Sequence, residues 1–299
     1  MAERYEVRTN LDGVGATRLV VDRETGRALG GFGSNYHRSW VYPLYAPNGA
    51  TVLREFPFDH PFHTGAFVGQ NPVRVAGREA NYWALPVPRG AEDKIMVRIG
   101  RMDPQAPVVV HCDSTGARMS LRAIWRDEND QPLLDEIRTV LFRATPDATI
   151  CEMTCELTAN YGAAELPRTK YGTMGFRADE RLLQALGGEI VAVADGGLRR
   201  GGPDVAHERE CDLVAYENEP PGLSRYGVAL QIMQNSASPE RTGPWFVRDY
   251  GLMLFNPAMR EGLTIDEGDT WSGTVRVVAY DGALTPGRAD GWDATPSNG

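Results

Sequence analysis

Between residues 108 and 157 apolar and polar side chains alternate with a period of two, in runs separated by short turn sequences. That spacing suits pleated strands, whose successive side chains point to opposite faces. It does not suit an amphipathic helix, which needs apolar positions three and four apart. Residues 108–112, 117–125, 137–143 and 149–157 therefore read as antiparallel strands. The intervening segments 113–116, 127–130 and 145–147 are rich in Asp, Asn, Ser, Pro and Gly, the residues that tight turns favour. A meander of strands this long is typical of a large β-sandwich.

The same pattern predicts strands at 18–22, 227–233 and 270–280. Helix is scarce: 179–186 offers two turns closed by Gly187 and Gly188, or else a loop. The counts of Gly (33) and Pro (20) fit a chain with many turns. No repeat of 20–50 residues and no composition break appears, so one β-sandwich domain is expected over 1–285. A flexible tail is expected over 286–299, a stretch rich in Asp, Pro, Ser and Gly. The segment 263–271, an apolar strand and a Gly-centred turn running into a long final strand, is similar to the last hairpin of galactose-mutarotase-like supersandwiches. The expected fold is accordingly all-β, a large antiparallel β-sandwich of that type, with a jelly roll or other sandwich as the alternative.

Charge narrows the partners. The formal net charge of −9 opposes binding to a phosphate backbone, and no basic patch longer than pairs such as Arg199-Arg200 offsets it. No apolar run is long enough for a membrane helix, and the first residues lack the apolar core of a signal peptide. A cytoplasmic protein with a small-molecule substrate, no nucleic acid and no membrane is expected; a homo-oligomer is compatible with the sequence. The four cysteines form no C-x-x-C pair. Cys151 and Cys155 lie roughly 13 Å apart on one strand, so reduced thiols are expected.

Two of only five histidines fall in one segment, Asp59-His60-Pro61-Phe62-His63-Thr64-Gly65. On a regular strand His60 and His63 would point to opposite faces, but Pro61 favours a bent backbone that brings them together. Imidazole titrates near neutrality and a neighbouring Asp can fix its tautomer, so Asp59, His60 and His63 are candidates for general acid/base chemistry. A divalent metal at His60 and His63 needs one or two further ligands, such as His37 or a distant acid. A purely structural role in a tight corner is the remaining alternative. Tyr45 upstream and Trp83 downstream, with amides nearby, suit a ligand that offers both apolar faces and hydroxyls.

A second segment runs Gly243-Pro244-Trp245-Phe246-Val247-Arg248-Asp249-Tyr250-Gly251. Arg248 is a candidate clamp for a carboxylate or hydroxyls, Asp249 a candidate base or partner for an imidazole, and Trp245 and Asn256 candidate substrate contacts. A structural Arg248–Asp249 ion pair is the alternative. Together with Pro43-Leu44-Tyr45-Ala46-Pro47-Asn48-Gly49, these segments resemble the PmoA-like family of soluble proteins. The family pattern has Asp where this chain has Glu55 and a middle His where it has Phe62, which weakens a multi-histidine metal site. The resemblance also implies a Gly-rich strand at 172–177, which makes Lys170, Tyr171 and Arg177 candidates for the same pocket, at least one of them expected to line it. A literal methane-oxidation role finds neither spanning helices nor a copper ligand set here.

The expected function is an enzyme using His/Asp acid–base chemistry on a carbohydrate- or glycoside-like small molecule, by hydrolysis, elimination or epimerisation, with no cofactor. One alternative is a tailoring hydrolase or cyclase of secondary metabolism with a larger apolar substrate. Another is a non-catalytic small-molecule-binding sandwich.

Overall fold

A computed structural model describes residues 3–10, 17–85, 97–105, 108–238 and 241–292. The alternating central block forms the middle of a ten-stranded antiparallel sheet. Its order is Gly197–Gly201, Glu189–Ala194, Leu213–Asn218, Tyr226–Asn235, Thr270–Asp281, Ala148–Thr158, Pro132–Ala144, Ala117–Arg126 and Arg101–Pro104, with Val109–Cys112 also paired to Ala117–Arg126. Facing it is a nine-stranded sheet in the order Tyr5–Asn10, Thr17–Asp22, Arg27–Ser34, Ser39–Leu44, Ala66–Gln70, Gly172–Arg177, Leu252–Phe255, Gly243–Val247 and Glu210–Cys211. A small sheet of Leu263–Ile265, Ala164–Leu166, Val73–Val75 and Arg78–Ala80 lies beside them. The fold is the large antiparallel β-sandwich that the alternation predicts.

Period two does the sorting. In Ala117–Arg126 every second residue is buried, among them Met119, Leu121 and Trp125. These meet inward side chains of the opposite sheet, such as Phe32, Val68, Met253 and Phe255, in one continuous core. Within the core Glu136 pairs with Arg138, both on an inward register; Trp125 Nε1 donates to Glu136 at 2.6 Å. Burying those charges is tolerable because each meets an opposite partner. Cys151 and Cys155 are buried free thiols on the same strand, and burial raises both above the ordinary thiol range.

Three expectations change. The segment 263–271 is no hairpin: Leu263–Ile265 pairs with Ala164–Leu166 in the small sheet, while Thr270–Asp281 pairs with Ala148–Thr158 and Tyr226–Asn235. The turn is there, but the two strands leave it for different sheets. Residues 179–186 form two short 3-10 turns, Glu180–Leu182 and Gln184–Leu186, with Asp179 capping the first and Gly187 closing the second in the left-handed region. The expected tail is ordered through Pro286–Trp292, because Trp292 is only 1% exposed and packs on Tyr280, Val278 and Ile150. The remainder of that tail, 293–299, lies outside the described residues. Among the described residues no helix is long and apolar enough to cross a membrane.

Candidate active site

The outer face of the nine-stranded sheet carries an aromatic cluster. Phe67, Phe246, Leu252 and Leu254 point outward from three of its strands, and Phe62 and Trp83 fold over them. The loop 54–65 is pinned at its base: Arg54 N donates to Arg177 O at 3.0 Å, Gly65 N to Arg54 O at 2.7 Å, and Arg177 N to Gly65 O at 2.9 Å. Gly65 has φ +57°, and a Cβ there would lie 2.1 Å from Val41 O, so only glycine fits where the loop rejoins the sheet. Within the loop, His63 N donates to His60 O at 2.9 Å, closing a turn over Pro61 and Phe62. That turn is the bend that Pro61 predicts, and it places the two imidazoles face to face.

Four rings form a parallel column. Tyr250 stacks on His60 at 5.3 Å, His60 on His63 at 5.1 Å, and His63 on Phe67 at 5.4 Å, with interplanar angles of 10°, 5° and 8°. A buried arginine closes each end: Arg177 Cζ lies 4.6 Å from the Tyr250 centroid and Arg38 Cζ 6.0 Å from that of Phe67. Arg38 donates to the carbonyls of Phe62, Tyr82, Trp83 and Ala84, which fastens the loop to the segment carrying Trp83. Burial lowers its guanidinium to about 9, still protonated at neutral pH.

Arg177 grips Asp59 through Nη2, 2.8 Å from Oδ1 and 2.7 Å from Oδ2, and Asp59 Oδ2 lies 2.8 Å from His60 Nδ1. Partial burial pushes the Asp59 carboxyl upward, but the hydrogen bonds and charges of Arg177 and His60 overcome it and hold the group well below the usual carboxylate range. An ionised carboxylate only accepts, so the shared hydrogen belongs to His60 Nδ1 and Nε2 is the nitrogen left to take a proton. His63 differs. It is 1% exposed with both ring nitrogens unpartnered, and burial, followed by the charges of His60, Arg177 and Arg38, keeps it well below the normal imidazole range. It is neutral.

A cavity of about 200 Å³ opens over the column, walled by His60, His63, Trp83, Tyr171, Phe246 and Tyr250, with Lys170 and Arg248 among its remaining lining. Parallel stacking keeps the His60 and His63 nitrogens from converging on one ion. Among the described residues no three His, Cys, Asp or Glu side chains are grouped to hold a metal.

Of the expected site residues, His60, His63, Trp83, Lys170, Tyr171 and Arg248 line this cavity. Asp59 and Arg177 sit behind it as the support of His60. Four do not belong to its wall. Asp249 is exposed and does not pair with Arg248, whose guanidinium lies instead 4.4 Å from the Phe246 ring centroid; the carboxylate bonded to an imidazole is Asp59. Trp245 points into the core and donates to Cys211 O at 2.9 Å. Tyr45 bridges Thr51 beside the turn at 46–50. Asn256 is buried, donating to Thr169 O at 2.6 Å and accepting from Ala258 N at 2.9 Å, which fixes the loop ahead of Lys170 and Tyr171.

Phe246, Tyr250 and Leu252 were not foreseen. Alternation held the signal for one of them: on the strand Gly243–Val247, an outward Arg248 implies an outward Phe246 and an inward Trp245. Tyr250 is set by the turn at 248–251, where Gly251 has φ +90° and its N donates to Arg248 O at 3.1 Å.

Several solved structures are similar to this chain in fold at low identity. Galactose 1-epimerase from Lactobacillus acidophilus NCFM matches at 10% identity and TM-score 0.45, over 94% of this chain and 100% of that one. A proposed aldose 1-epimerase from Escherichia coli K12 matches at 13% and 0.40, over 92% and 99%. A galactose mutarotase-like protein from Lactobacillus casei ATCC 334 matches at 8% and 0.35, over 92% and 100%. At those values the likeness carries nothing about chemistry. No curated protein matches the sequence. A family described as "Family of unknown function (DUF6807)" matches residues 11–292, and the chain belongs to that family.

Proposed function

We propose that this protein is an enzyme that moves a proton on a carbohydrate-sized molecule, with His60 as the acid–base group and Asp59 as the carboxylate that orients it. The observation that carries this reading is the 2.8 Å contact of Asp59 with His60 Nδ1 beside the cavity. When His60 gains a proton, the ionised Asp59 stabilises the imidazolium; Arg177 keeps Asp59 ionised throughout. Hydrolysis, elimination and epimerisation all contain such a step. Trp83, Tyr171, Phe246 and Tyr250 offer apolar faces of the kind that pack on sugar C–H surfaces.

Size favours a small substrate. Sites for drug-sized ligands span roughly 300–1,000 Å³. The cavity here is about 200 Å³, which suits a single sugar ring better than the larger apolar substrate of a cyclase. The proposed reaction uses no metal, so a chelator leaves it unchanged. Kinship with PmoA-like proteins belongs to the same proposal, since that resemblance rests on segments that contribute Asp59, His60 and Arg248.

The test is to incubate the protein with a panel of free aldoses, sugar acids and simple glycosides and follow each by proton NMR. Turnover of one class is expected, with His60→Gln reducing it by about 10²–10⁴-fold and Asp59→Asn reducing it as well. Full activity in His60→Gln would overturn the assignment. Binding without turnover across the panel would make the protein a binding sandwich instead.

A further inference from the structure

We propose that the ligand of this cavity is anionic: a sugar carrying a carboxylate or a phosphate, held by Lys170 and Arg248. The inference takes its site from the acid–base reading above and adds the substrate class.

Charge distribution carries the argument. The chain has a net charge of −9, yet the cavity lining contains two cations and no carboxylate. Elsewhere arginines meet acids, as in Arg74 with Glu79, Arg126 with Asp103 and Arg276 with Glu152. Lys170 and Arg248 rest on rings instead: Lys170 Nζ lies 5.3 Å from the Tyr171 centroid and Arg248 Cζ 4.4 Å from that of Phe246. A ring face orients a cation without neutralising it. Asp59 and Asp249, the acids beside the motif residues, do not quench this charge. Asp59 is bonded to Arg177, and Asp249 is exposed outside the cavity wall.

Two further observations point the same way. Lys170 is one of only two lysines in the chain, so a residue this protein otherwise hardly uses stands at the cavity. An ammonium on a flexible stem is a point charge able to follow a carboxylate or phosphate, while Arg248 can grip either in a fork. His63 lines the same cavity, buried, with neither ring nitrogen partnered. A buried polar group left without a hydrogen bond is uncommon in a folded protein and marks a place for a polar ligand atom.

The experiment uses paired probes and isothermal titration of the full chain: glucuronate against glucose, galacturonate against galactose, and glucose 6-phosphate as the phosphate arm. At least one acid should bind about tenfold or more tightly than its neutral parent, and more weakly as salt rises. Uronates ahead of the sugar phosphate assign a carboxylate; the reverse order assigns a phosphate. The preference should disappear in Arg248→Gln/Lys170→Gln and persist in His60→Gln. Neutral sugars binding as tightly as the acids, or a preference that survives the double variant, would overturn the proposal. Loss of turnover in His60→Gln with the anion preference intact tests the acid–base reading separately.

Discussion

The two large sheets each bear an apolar cluster on the outer face, and the two faces are closed in different ways. On the ten-stranded sheet, the C-terminal segment lies down over Ile150, Val278 and Tyr280, with Leu284 and Trp292 as its anchors. Its polar groups are largely spent: Glu217 accepts from Tyr280 Oη, Leu284 N and Arg200, and Arg143 donates to Trp292 O. Trp292 Nε1 is the exception. On the nine-stranded sheet the loop 54–65 and Trp83 form the cover, and a cavity remains. There both nitrogens of His63, which lines the cavity, have no partner. Folding satisfies nearly all the polar atoms of one face and leaves the His63 imidazole of the other unspent, as expected where a ligand is to supply the missing bonds.

That contrast can be broken from either side. The largest expected effect on stability is at the closed face: Trp292→Ala should cost roughly 3–5 kcal/mol, the usual range for emptying a buried Trp site. Urea melts would read the loss, and the affinity of any ligand found for the cavity should stay unchanged. A destabilisation near zero would return the segment to the status of a loose tail.

A smaller, pH-dependent effect is expected at the open face. Unfolded, His63 takes up a proton below about pH 6.5; folded, burial keeps it neutral far below that. The unfolded state therefore binds more protons in mild acid, and stability falls as the pH drops below about 6.5, by at most about 1.4 kcal/mol per unit. His63→Phe removes the titrating group and retains a ring for the column, so its stability should fall less between pH 7 and pH 5. Equal losses in both proteins would show that His63 is not held neutral. The smallest effect is reserved for Asp249→Asn, which should change stability by no more than about 0.5 kcal/mol and turnover by no more than about twofold. A large loss of turnover there would restore Asp249 to the site.

Much of this was legible in the chain, for identifiable reasons. Alternation marked the long strands because a residue's face on a strand depends only on its parity. Pro61 marked the bend because proline restricts φ wherever it occurs. The motif segments marked His60, His63 and Arg248 as candidates. The same logic applied along Gly243–Val247 would have exchanged Trp245 for Phe246. What stayed hidden depended on distant chain. The seating of Trp292 requires the strand containing Ile150, and the grip on Asp59 requires Arg177, 118 residues away.

By itself, then, the sequence determined the long alternating strands, the bend at Pro61 and the titratable groups of the first motif, since each follows from local geometry or side-chain chemistry. Only the tertiary structure decided which acid serves His60, which rings wall the cavity, and that Lys170 and Arg248 stand together at it without a carboxylate. Those outcomes come from strands far apart in sequence being hydrogen-bonded side by side, such as Ala66–Gln70 with Gly172–Arg177 and that strand with Leu252–Phe255. Pairing across the sheet, not spacing along the chain, puts their side chains on one face.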